Sequence, residues 1–304
     1  MVERVAYDEF SYFHENASEF GLPYDGPPTV RRESVPLGDG RSLSALVWGT
    51  APPELVLVHG GAQNAHTWDT VAMALGRPLV AVDLPGHGHS DGPKEGRSTD
   101  PMSNAEDVAV AVERLAPDAA AVVGMSLGGM TSIALAGTRP ELVRKLVLVD
   151  VTPGVTGKKA EAIIAFVNGP ESFPSFAEIL ERTVQFNPTR SESSLRRGIL
   201  HNAVQRDDGS WVWRHARHRA MQAEGESRPR DYGSLWDMVE SYPGPLMLLR
   251  GMRQGSVVDD ADEAELRTRR PDARIEHVVE AGHSIQGDDP LELARLVEEF
   301  VFGS

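Results

Sequence analysis

Residues 124–128, GMSLG, form a G-x-S-x-G pentapeptide, and its neighbours indicate that the Ser126 hydroxyl can act as a nucleophile. It follows the apolar run AAAVVGM and precedes a helical pattern from Leu127 to Ala136. A sharp strand-to-helix turn needs small flanking residues and lifts the hydroxyl to the carboxyl end of a sheet. The Leu127 N–H, at the N-terminus of the new helix, then faces a developing oxyanion. A serine also needs a base, and an imidazole of near-neutral pKa can take and return its proton. Among ten histidines, His283 stands apart because EAGHSIQGDDP lies between a strand and the final helix, in a loop that returns to the same edge. Asp150 ends the apolar run LVLVD, and the chain order Ser126, Asp150, His283 is the serine, acid, histidine order of one hydrolase architecture. A carboxylate at a strand end lies where ligands bind in open α/β sheets. A purely structural role, accepting backbone hydrogen bonds in the turn into VTPG, stays open for it.

Other residues invite weaker assignments. In HGGAQNAHTW the flexible backbone offers Gly61 as the second oxyanion donor, with Ala62 the alternative. His59 reads as a residue that holds this loop, and His87 and His89, in DLPGHGHSD, as loop-forming. His66 and Trp68 either touch substrate or pack. His201, His215 and His218 are divided between substrate contact and surface exposure.

The elements that must position these groups are short. SLSALVWG, ELVLVHGG, PLVAVDLPG, AAAVVGMS, KLVLVD, PLMLLRG and RIEHVVEAGH read as strands, most of them near-continuous apolar runs buried on both faces of a mostly parallel sheet. SNAE at 103–106 predicts a capping box before Val108, Ala111, Val112 and Leu115 on one helix face. Asp289 and Pro290 predict the N-cap and first position of a closing helix. From 152 to 240 the rhythm breaks into helical segments followed by VQRDDGSWVWRH, where Asp208-Gly209 suggests a small hairpin carrying Trp211 and Trp213, or a loop among helices.

At 304 residues the chain can bury one large core plus a subsidiary element, expected as 1–151 and 241–304 for the core and 152–240 for the insertion. A formal net charge of −15 argues against nucleic acid or an anionic membrane as partner. With no cysteine, thiolate nucleophiles, disulfides and Cys-ligated metals are excluded. No secretory signal and no membrane-spanning run are visible, so the expected location is cytoplasmic. A small-molecule substrate, a monomer or homodimer, and no metal or organic cofactor are expected.

Taken together, LVHGG, DLPGHGHSD, GMSLGG and AGHSIQGDDP resemble the α/β-hydrolase superfamily over nearly the whole chain. The resemblance implies an α/β fold with an eight-stranded, mostly parallel sheet flanked by helices and a mainly helical cap inserted after the sixth strand. Ser126 then matches the nucleophile, His283 the base, and Leu127 and Gly61 the oxyanion hole. Most members carry the acid a few residues past the Gly after the seventh strand, where this chain has Arg253, Gln254 and Gly255. Some use the position that Asp150 matches. Asp259 and Asp260 are the rivals, but DDADEAELRTRR has acids in its first turn and bases in its last, as a helix dipole favours. Serine rather than aspartate at 126 separates the chain from epoxide hydrolases and haloalkane dehalogenases. The implied activity is hydrolysis of a carboxylic ester through an acyl-enzyme, with C–C bond (diketone) hydrolysis, lactone hydrolysis or acyl transfer on the same triad as alternatives. A ligand-binding receptor on the same scaffold is the alternative from another class. In the cap, Phe166, Phe176, Trp211 and Trp213 are expected to wall the pocket, with Arg214 or Arg217 receiving an acidic group.

Overall fold

A computed structural model describes residues 4–95, 97–187, 190–214 and 232–303. Six strands come first: β1 (Val30–Pro36), β2 (Ser42–Trp48), β3 (Leu55–Val58), β4 (Leu79–Val82), β5 (Ala121–Met125) and β6 (Leu146–Val149). Three short ones follow, β7 (Ser172–Phe173), β8 (Ala203–Gln205) and β9 (Trp211–Trp213), and then β10 (Leu246–Gly251) and β11 (Arg274–Val278). Among the described residues they form an eight-stranded sheet in the order β1-β2-β4-β3-β5-β6-β10-β11 and a three-stranded sheet in the order β7-β9-β8. In the large sheet β1, β2 and β4 pair antiparallel and every other neighbour is parallel. The chain therefore has the α/β-hydrolase architecture, with β3, β5, β6, β10 and β11 pointing their carboxyl ends to one edge.

The central strands are wholly buried because each face has its own helical layer. Along β3, Val56 and Val58 enter one core cluster and Leu55 and Leu57 the other; Leu146 and Leu148 of β6 alternate with Val147 and Val149 in the same way. That is the period of two that a strand imposes, with both faces apolar. The chain's first helices are α1 (Phe13–Phe20), α2 (Asp69–Leu75), α3 (Pro101–Leu115) and α4 (Leu127–Thr138). After β6 come α5 (Glu161–Val167), α6 (Phe176–Phe186), α7 (Glu192–Asn202) and α8 (Ser234–Ser241). The last are α9 (Asp260–Arg269), α10 (Ile285–Asp288) and α11 (Pro290–Phe302). Helices α3, α4 and α8 supply one layer; α1, α2 and α11 supply the other.

Several local readings change. Helix α3 begins at Pro101, and its cap is Asp100, whose side chain accepts the Ser103 N–H at 2.8 Å. Ser103 thus lies inside the first turn: an Asp-Pro pair three residues earlier starts the helix before the predicted box can. At α11 the expected Asp289 cap and Pro290 start are both present. Strand β1 has no counterpart among the sequence-predicted strands, because VRRESVP is charged and half-exposed; seven paired positions with β2 hold it at the sheet edge. Asp208-Gly209 does turn a hairpin between β8 and β9, with Gly209 at φ 91°. Helix α8, which falls in the predicted 152–240 insertion, packs on α4, with Met238 against Gly137 and Leu235, Trp236 and Val239 in the main core.

Candidate active site

Three non-glycine residues have positive φ among the described residues: Ala62 (60°), Ser126 (51°) and Asp150 (46°). All three lie just past the carboxyl ends of strands β3, β5 and β6. Such backbone costs on the order of 1–3 kcal/mol per residue and persists where the surroundings over-determine it. At Ser126 the surroundings are glycines: a Cβ on Gly128 would strike the Val58 carbonyl, and one on Gly124 would strike Ser132 and Gly128. Only bare backbone lets α4 start this close to β3 and β5, which fixes the serine at the elbow.

Gly60 is equally tight, with its Cβ position 3.2 Å from the Ser126 Cβ, so the loop after β3 runs directly beside the serine. His59 holds that loop: its Nδ1 lies 2.7 Å from the Gly60 carbonyl and its Nε2 accepts the Leu84 N–H at 3.0 Å. His87 Nε2 accepts the Ala62 N–H at 3.0 Å, so that N–H is already engaged. The N–H groups of Gly61 and Leu127 have no hydrogen-bond partner among the described residues, and the Gly61 Cβ position is 3.9 Å from the Leu127 side chain.

Asp150 is fully buried and accepts four hydrogen bonds. Gly251 N–H (2.9 Å) and Ser256 Oγ (2.6 Å) donate to one oxygen, and Val257 N–H (3.0 Å) and His283 Nδ1 (2.9 Å) to the other. Nδ1 thus carries the proton and Nε2 is the basic nitrogen. Among the described residues no hydrogen bond joins the Ser126 hydroxyl to Nε2; such contacts commonly tighten only when substrate is bound. The rivals are otherwise engaged. Asp259 caps α9 in a reciprocal box with Asp262 and pairs with Lys159 at 2.9 Å, while Asp260 is exposed and pairs with Arg250 at 2.8 Å. Ser256 was missed by sequence reasoning, which stopped at Gly255; a hydroxyl one residue further along the loop after β10 was the available signal.

A cavity of about 170 Å³ lies beside this edge. Ala62, Gln63, Ser284 and Gln286 line it, so it adjoins the loops of Gly61 and His283, although Ser126 is not in its wall. His66, Trp213 and Phe166 also face it, and so does Arg190, which sequence reasoning did not single out. Trp68 is wholly buried in the core, and Trp211 packs against Phe176 at 5.0 Å between ring centres; neither lines the cavity. The wall is therefore more polar than the predicted aromatic one. Arg214 donates to the His201 carbonyl at 3.1 Å, and Arg217, His215 and His218 lie outside the described residues.

Beneath the cavity the buried His66 sits between Asp69 (2.9 Å) and Glu9 (3.2 Å). Burial pulls His66 down, but the two carboxylates outweigh it and push it up to about 9. His201, stacked on His66 at 3.9 Å, is driven well below the usual range by burial and by the cations around it. Donor atoms of His66, Asp69 and His201 lie within 4.8 Å of one another. The rings are nearly parallel (14°), so their in-plane lone pairs do not converge on one ion.

A family model described as the alpha/beta hydrolase family matches residues 55–296. Esterase Rv0045c of Mycobacterium tuberculosis is 44% identical over 303 residues, covering 97% of this chain and 96% of that one. A crystal structure of the same esterase superposes with a TM-score of 0.81 at 41% identity, covering 98% and 99% of the two chains. The sn-1-specific diacylglycerol lipase ABHD11 of Xenopus laevis is 29% identical over 82% of this chain and 80% of its own. With the fold, the strained serine elbow and these relatives in agreement, the chain belongs to the alpha/beta hydrolase family.

Proposed function

We propose that the protein is a serine hydrolase of carboxylic esters, acting through an acyl-enzyme on Ser126. One observation carries the reading: a buried carboxylate, Asp150, holds His283 Nδ1 at 2.9 Å on the edge where a strained serine elbow presents its hydroxyl. Ser126 Oγ attacks the ester carbonyl while its proton passes to His283 Nε2, and the Gly61 and Leu127 N–H groups receive the oxyanion. Collapse expels the alcohol, which leaves with the proton from His283. Water then attacks the acyl-enzyme, gives a proton to His283, and the acid departs as Ser126 regains its hydrogen. Asp150 keeps the imidazole in the correct tautomer and stabilises its charged form. The two relatives named for ester cleavage favour this over C–C cleavage or acyl transfer.

The substrate is a small molecule, and the segment between β6 and α8 acts as the cap that shapes its pocket. No helix among the described residues is long and apolar enough to cross a membrane. The test is intact-mass analysis after a fluorophosphonate probe, on the native protein and on Ser126→Ala. One adduct on the native chain and none on the variant is expected, followed by turnover of simple esters. No adduct on either would overturn the reading.

A further inference from the structure

Seven buried side-chain polar atoms lack a hydrogen-bond partner among the described residues, and three of them, Asp69 Oδ1, Arg190 Nε and Gln286 Oε1, belong to residues that line the same cavity. Buried polar atoms are normally satisfied, so three of seven around one cavity set this wall apart from the rest of the described interior. Of the three, Asp69 is already paired through its other oxygen with His66 at 2.9 Å, and Arg190 is the cation. Its Nη2 donates to the Ser194 hydroxyl at 2.6 Å, and no carboxylate lies within ion-pair distance among the described residues. The two acids that act on it electrostatically are committed elsewhere: Glu19 to Arg197 and Ser191, and Asp288 to the Gly282 N–H at 2.9 Å. Burial disfavours the charged guanidinium, with the neighbouring Arg197 adding to that, and Asp288 and Glu19 compensate only at longer range.

Its position relative to the chemistry follows from Gly287. The Arg190 guanidinium carbon is 2.8 Å from where a Cβ on Gly287 would stand, so that glycine leaves the room the guanidinium occupies. Gly287 is in α10, four residues past His283. The wall of the one cavity thus includes both Ala62 and Gln63, next to the proposed oxyanion donor Gly61, and Arg190. A planar guanidinium with a free edge recognises a carboxylate through paired N–H donors.

Resting on the ester-hydrolase reading, we infer that Arg190 is a specificity residue that receives a carboxylate at the far end of the substrate, so that the preferred esters are anionic. A half-buried guanidinium without an ion-pair partner is costly, and a substrate carboxylate would offset that cost in the complex alone. The preference runs against the chain's overall charge of −15, which makes it diagnostic of a local site.

The experiment compares two pairs of esters. One pair carries the end group on the acyl side, mono-4-nitrophenyl glutarate against its methyl-capped form; the other carries it on the alcohol side, the butyrate ester of 4-hydroxybutanoate against its methyl-capped form. The native protein should show higher kcat/KM for the acid-ended member of at least one pair. Arg190→Met should lower that value about 10- to 100-fold. The capped esters should change by no more than about threefold, which also reports an intact fold. Arg190→Lys should restore part of the preference. Equal rates for acid and capped forms in both pairs, or a preference that survives Arg190→Met, would overturn the inference while leaving ester hydrolysis standing. If no ester is cleaved and the fluorophosphonate leaves Ser126 unmodified, the ester reading fails and this inference with it.

Discussion

Asp150 accepts from four donors, so its replacement separates geometry from charge. Asp150→Asn would keep the shape but present an NH2 group to donors and favour the wrong imidazole tautomer. Turnover should fall about 10⁴-fold with the fold retained, the size of loss this change brings to a serine triad. Ser256→Ala removes one charge-assisted hydrogen bond and should cost about tenfold. Asp260→Asn, at an exposed ion pair, should leave kcat unchanged. Steady-state kinetics with melting curves on the three variants checks this; full activity in Asp150→Asn would return the role to Asp259 or Asp260. The strand-end positions of Ser126 and Asp150 and the loop of His283 were legible as candidates because each ends or follows a strand pattern that a single sequence displays. Ser256 and Arg190 were not, since a serine in a turn and an arginine among helices look like solvent-facing residues until tertiary contacts bring them to Asp150 and the cavity.

The elements were legible where both faces of a strand are apolar and obscure where pairing alone holds them. KLVLVD could be read directly; VRRESVP could not, because its place depends on β2. Helix starts show the same competition between local signals. Asp100→Ala should lower stability by about 1 kcal/mol, whereas Ser103→Ala should change it by a few tenths at most, because Asp100 makes the capping bond. Chemical denaturation of both variants tests it, and the reverse ranking would restore the SNAE box as the cap. The packing of α8 was hidden for a similar reason. SLWDMVES is amphipathic, and only packing on α4 shows that its apolar face belongs to the main core rather than to the elements over the site.

At the scale of the molecule, the N-terminal segment ties distant parts together. Glu9 contacts His66 and Arg32, Tyr7 hydrogen-bonds His201 across 194 residues at 2.9 Å, and Asn16 and Phe20 face the cavity. This network makes stability depend on pH in two directions. His66 is raised from 6.5 to about 9 in the folded state, so its contribution is complete below about pH 6.5 and is lost as pH rises through 9. Burial pushes Glu9 up, but His66 and Arg32 hold it down at about 2 against an ordinary 4.5, so its contribution is present above about pH 4.5 and is lost as pH falls towards 2. Melting temperatures across pH 3–10 should peak between those limits, and His66→Gln should flatten the alkaline decline; an unchanged decline would assign it to other groups. None of this network was visible in the sequence, because its partners are joined only by the fold.

The same segment sets an order of events during synthesis. Tyr7 is made before its partner His201, which follows 194 positions later. Contacts this distant in sequence form late, since the loop between them must be closed before they contribute anything. The central strands β3, β5 and β6 can therefore pair while Tyr7 waits for His201, and the pocket acquires its last wall only once Ser284, Gln286 and Gly287 have been made.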